Sequence, residues 1–141
     1  MDDSYHLQRF VAAQDAGGTY DRALDELRRG FKSSHWMWFI FPQIAGLGRS
    51  PTARQYAISS LDEAGEYLAH PILGPRLVQC AVVLGEIEGR SAEQVFGSID
   101  AQKLRSSMTL FLRAAPDEAV FQQVLDKYFG GAADEATDSR L

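Results

Sequence analysis

His35, Lys103 and Asp100 are the side chains in this sequence best suited to moving a proton or holding an anion. His35 lies in the aromatic run SHWMWFIFPQ, where its imidazole can act as general acid or base. Lys103 and Ser107 stand one helical turn apart in FGSIDAQKLRSSMTLF, with Ser106 on the same polar side and Asp100 near the helix start. A lysine of lowered pKa beside a hydroxyl is a nucleophile-activating pair. Here the serines follow the lysine, the reverse of the S-x-x-K order. A supporting role, orienting a ligand or pinning a neighbouring loop, therefore fits better than nucleophilic attack. The plain alternative is a solvated helical face whose hydroxyls bond back to the backbone.

The second constellation suits binding rather than reaction, the plain alternative being an ordinary loop leading into a capped helix. In GLGRSP, glycines at 46 and 48 permit positive φ and close backbone approach to a ligand. Ser50-Pro51 starts a helix whose free N–H groups favour an anion, and Arg49 offers a two-pronged clamp. Neither the dinucleotide-binding nor the P-loop spacing is present. In the preceding run, Trp36, Phe39 and Ile40 recur at helical spacing and are expected in the core, whereas Trp38 and Phe41 fall off that stripe. The expected pocket is therefore lined by Lys32, Ser34, His35, Trp38 and Gln43 from the aromatic run. Gly46, Gly48, Arg49 and Ser50 from the turn, and Lys103, Ser106 and Ser107 from the later helix, complete it.

Other chemistries are excluded by type and number. His6, His35 and His70 are scattered without ligand spacing, so no metal site and no cofactor are expected. Asp25-Glu26, Asp62-Glu63 and Asp2-Asp3 sit at termini or helix starts, where helix dipoles account for them. Cys80 is the only cysteine and lies in the apolar run LVQCAVVLGEI, so it is expected buried and inert. Nineteen acids against 14 bases give a net charge of −5, which repels phosphate backbones, so no duplex nucleic acid is expected as a partner. No leader-like or membrane-length apolar segment occurs, and a cytoplasmic location without membrane attachment follows as the expectation.

These residues must be positioned by helices. At 141 residues, one domain spanning 1–141 is expected, with a polar tail from about 132. Leu7, Phe10 and Val11 mark one helical face, and Tyr20, Ala23, Leu24, Leu27 and Phe31 a second, closed by Gly30. Caps are predicted at Ser50, Ser60 (with Glu63), Ser91 (with Gln94) and Asp117. A long buried helix is expected from about Pro75, and another opening at Ser98 or Asp100. Only WMWFIF suggests an extended piece. The pattern predicts an all-α fold, a compact multi-helix domain of about seven or eight helices carrying a Gly-rich turn and an aromatic segment.

The segments LQRFVAAQ…YDRALDELRRG, SHWMWFIFPQIAGLGRSPTARQYAISSLDEAGEYLAHPILGPRL and FGSIDAQKLRSSMTLF together resemble the bacterial domain-of-unknown-function family 1810, from about Tyr5 to Gly131. The resemblance implies a small, mainly helical fold and brings no established activity. The chain departs from the family pattern at Phe31, before Lys32, and at Ile99-Asp100-Ala101, where a second acid is common. Family members often carry the label calpastatin, but such calpain inhibitors are disordered, repetitive and poor in aromatics. This chain is 11% aromatic and patterned for a core, so it is not expected to be a protease inhibitor. RFVAAQ and FGSIDAQK are also loosely similar to helical enzymes acting on N-glycosidic bonds of ADP-ribose-like compounds. Three functions thus stand as expectations: binding of a small anionic or nucleotide-like ligand, a non-catalytic helical interaction module, and, more remotely, N-glycosidase-like processing.

Overall fold

The computed structural model describes residues 3–141; Met1 and Asp2, the latter half of the Asp2-Asp3 pair, lie outside it. The chain runs through α1 (Gln8–Asp15), a 3-10 turn (Ala16–Gly18), α2 (Thr19–Arg29), α3 (Met37–Ile40), α4 (Pro51–Gln55) and α5 (Leu61–Ala69). It continues through α6 (Leu73–Glu86), α7 (Ala92–Phe96), α8 (Ser98–Ala114), α9 (Ala119–Phe129) and α10 (Glu135–Asp138). Among the described residues there is no strand, only one parallel bridge between Ile44 and Ile58. The fold is all-α.

α8 is the axis of the molecule, with α5, α7, α9 and α10 packed around it. Its Leu104, Met108 and Phe111 are fully buried, as the spacing requires. α6 carries Leu77, Cys80, Ala81 and Leu84 into the same core. Burial pushes the Cys80 thiol up to about 12, so it stays protonated and unreactive. α5 and α6 meet at 90°. There the backbone approach is so close that a Cβ on Gly74 would lie 2.0 Å from the Leu68 carbonyl oxygen.

The caps at Ser50, Ser60 and Ser91 form as predicted, each side chain accepting from the N–H three residues on. Only Ser91-Gln94 closes the reciprocal box, because the Glu63 carboxylate turns instead to Ser59. Elsewhere the structure corrects the reading. Glu118, without a side-chain bond, caps α9 in place of Asp117. α6 begins at Leu73, two residues before Pro75. WMWFIF is not extended: Met37–Ile40 form one short helix that buries Met37 and Ile40, while Trp36 and Phe41 are buried at its two ends. Phe41, off the helical stripe, is thus core, whereas Phe39 is only partly buried. Phe31 is exposed, because left-handed Gly30 ends α2 and redirects the chain. No single helix among the described residues is long and apolar enough to cross a membrane.

Candidate functional site

Position begins with a buried carboxylate. Glu26, near the C-terminal end of α2, is only 3% exposed. It accepts from the Ser33 and Ser34 amides at 2.8 and 3.0 Å, from Trp36 Nε1 at 3.0 Å, and from the Ser34 hydroxyl. Burial alone would raise its pKa, but these donors outweigh that and hold it at about 2. Glu26 therefore fixes the bend that carries Lys32 and His35 and seats Trp36 in the core. Helix-dipole placement does not explain this acid, whereas Glu63 does lie in the first turn of α5 and is also buried, accepting from Arg9 and Ser59. The signal for Glu26 was in the chain: a glutamate beside the apolar stripe of α2, followed by the donor-rich S-S-x-W.

The glycine turn belongs to a longer excursion, 45–57, closed at its neck. Ala45 N–H donates to the Ile58 carbonyl and Ile58 N–H to the Gln43 carbonyl, both at 2.8 Å. Arg9 pins the far end through the Gln55 and Ala57 carbonyls at 2.7 and 2.8 Å. Gly46 takes φ +97°, and a Cβ there would meet Arg140 Nη1 at 2.5 Å, so the C-terminal segment lies against the turn. Gly48 does not adopt positive φ; its missing Cβ makes room for Ala53.

Between this excursion and the start of α8 runs a groove of three adjoining chambers. The first, about 120 Å³, lies among Trp38, Gln43, Gly46, Arg54 and Tyr56. The second, about 530 Å³, is lined by Gln43, Leu47, Ile99, Gln102 and Asp134. The third, about 410 Å³, brings together Lys32, His35, Trp38, Asp100 and Lys103. Trp38 separates the first from the third, Gln43 the first from the second, and Lys103 the second from the third.

All three proton-transfer candidates thus share one chamber. Asp100 is clamped between two ammoniums, Lys32 Nζ at 2.8 Å and Lys103 Nζ at 3.4 Å, and Lys32 is itself 7% exposed. Two cations on one carboxylate leave a local excess of positive charge. Lys103 Nζ also sits 4.8 Å from the centroid of the Trp38 ring, a cation–π contact. Asp100 acts as a strut for both lysines, while His35 is exposed at the mouth of the chamber. The Gln43 carboxamide hydrogen-bonds to no other described residue, although it borders two chambers.

The structure disperses the remaining candidates. Ser34 is committed to Glu26 and Ser50 to capping α4. Arg49 is exposed and lines none of the three chambers, where Arg54 faces the first instead. Ser106 is buried but borders the second chamber, donating at 2.9 Å to Asp134. Ser107 does not share a solvated face with Lys103; it is fully buried, and its hydroxyl has no partner among the described residues. Tyr56, Arg54, Leu47, Ile99, Gln102 and Asp134 are among the lining residues that sequence spacing did not mark.

The fold agrees with the comparisons. The family model of a protein of unknown function, DUF1810, matches residues 4–141, and the chain belongs to that family. It is similar to a solved structure described as the conserved hypothetical protein Rv1873 from Mycobacterium tuberculosis, at 50% identity and a TM-score of 0.95. That match covers 99% of this chain and 98% of the other. No curated protein matches the chain.

Proposed function

We propose that the groove binds a small anionic or nucleotide-like ligand, with a planar group against Trp38 and an anion against Lys103. One observation carries this reading: an aromatic ring, an ammonium over it, and a carboxamide without a partner among the described residues each border two of the three chambers. A concave site with a few convergent polar groups is the usual form of a small-ligand pocket. The local charge supports it, since two lysines oppose one aspartate in a chain that is otherwise acidic. His35 is the group placed to exchange a proton with such a ligand. We infer a cytoplasmic setting, in keeping with the unpaired thiol of Cys80.

The test is a thermal-shift screen with nucleotides, sugar phosphates and dicarboxylates. A ligand held by the native state alone raises the melting temperature by mass action. Trp38→Ala and Lys103→Ala are expected to fold and to lose most of that rise. A shift that survives both substitutions places the ligand elsewhere and defeats the reading.

A further inference from the structure

The second chamber differs in chemistry from its neighbours. Its uncharged and acidic polar lining is Gln43, Gln102, Ser98, Ser106 and Asp134, and Leu47 and Ile99 supply aliphatic wall. Its one cation, Lys103, stands on the border with the third chamber. Asp134 is buried, and its Oδ2 is taken by Ser106 Oγ at 2.9 Å and by Thr137 Oγ1 at 2.5 Å. Among the described residues its Oδ1 accepts only from Gln102 Nε2, at 3.0 Å, and keeps a lone pair. The Gln102 side-chain carbonyl and the whole Gln43 carboxamide have no partner among the described residues.

A carboxylate accepts from alcohols and a carboxamide both accepts from and donates to them, alcohols being donor and acceptor at once. Leu47 and Ile99 suit the C–H face of a sugar ring, and the buried charge of Asp134 repels a phosphate. The phosphate is left the neighbouring chamber, where Lys32 and Lys103 stand. We propose that the second chamber is a subsite for a sugar ring whose phosphate ester lies against Lys103. This rests on the anion site proposed above and adds the class of ligand: a phosphorylated sugar, free or within a nucleotide.

Calorimetric titration of the full chain with ribose 5-phosphate, butyl phosphate, inorganic phosphate and adenosine monophosphate tests it. Ribose 5-phosphate is expected to bind at least about tenfold more tightly than butyl or inorganic phosphate. Ala136→Phe, which fills the chamber from α10, and Gln102→Leu, which removes an alcohol partner, are each expected to erase that advantage and leave inorganic phosphate binding unchanged. Tighter binding of adenosine monophosphate than of ribose 5-phosphate identifies a nucleotide as the source of the sugar; equal binding identifies the free sugar phosphate. If the three simple phosphates bind alike, or the advantage survives both substitutions, the sugar subsite is overturned while the anion site stands. If none of the four binds, both fall together.

Discussion

Glu26 does the work of a cap for a segment that is not a helix. Its carboxylate gathers two amides, a hydroxyl and an indole N–H, all within ten residues downstream. The consequence is a dependence on pH whose sign is fixed. The folded pKa of about 2 lies below the ordinary 4.5, so the stabilisation is present above about 4.5 and is lost as the pH falls toward 2. Its size at neutral pH is on the order of 3 kcal/mol. Denaturant unfolding at pH 6 and pH 3 should show that loss in the wild type, and Glu26→Gln should be less stable at pH 6 with a smaller difference between the two pH values. An unchanged difference in the variant would assign the acid sensitivity to other groups. Sequence reading assigned Glu26 to a helix end because its partners, though close in sequence, reach it only after the left-handed turn at Gly30. The turn was legible; what it brings under the helix was not.

Elements were legible where their determinants are local. Ser50, Ser60 and Ser91 cap the helices predicted for them because each bond spans three residues. α3 was missed because four residues are held by burial of Met37 and Ile40, not by a helical repeat. The contact of α5 with α6 is of the same non-local kind and yields a paired test. In a helix, Gly→Ala gains roughly 0.5–1 kcal/mol. At Gly65, where a Cβ meets nothing within 4 Å, that gain should appear as a higher melting temperature. At Gly74 the Cβ meets a backbone carbonyl, and overpacking costs about 1–3 kcal/mol, so Gly74→Ala should lower the melting temperature. Equal effects of the two substitutions would mean that α5 and α6 separate freely.

Across the whole molecule, the groove draws on segments far apart in the chain: the bend after α2, the excursion 45–57, the first turns of α8 and the residues around Asp134. Single-sequence spacing marked three of these, since each carries glycine, aromatic or lysine signals. It could not mark the fourth, because Asp134 becomes a lining residue only when Arg105 holds the Ala132 and Ala133 carbonyls and Arg113 holds Asp138. The positive charge of the groove is equally local, set in a surface whose net charge is −5. Long-range repulsion should therefore win for a polyanion, while a small anion feels mainly the two lysines. The protein is expected to pass through immobilised duplex DNA at physiological salt; retention that added salt reverses would show a basic face that the charge balance does not predict.

The two tryptophans, two residues apart, each have an ammonium over the ring, Lys32 on Trp36 and Lys103 on Trp38, but differ in burial. Trp36 is fully buried with its indole N–H on Glu26, whereas Trp38 is part-exposed. Their emission should separate accordingly, a blue component from the dry interior and a redder one from the groove. The protein thus carries its own optical gauge: light from Trp36 follows the integrity of the fold, and light from Trp38 follows whatever displaces Lys103 from its face.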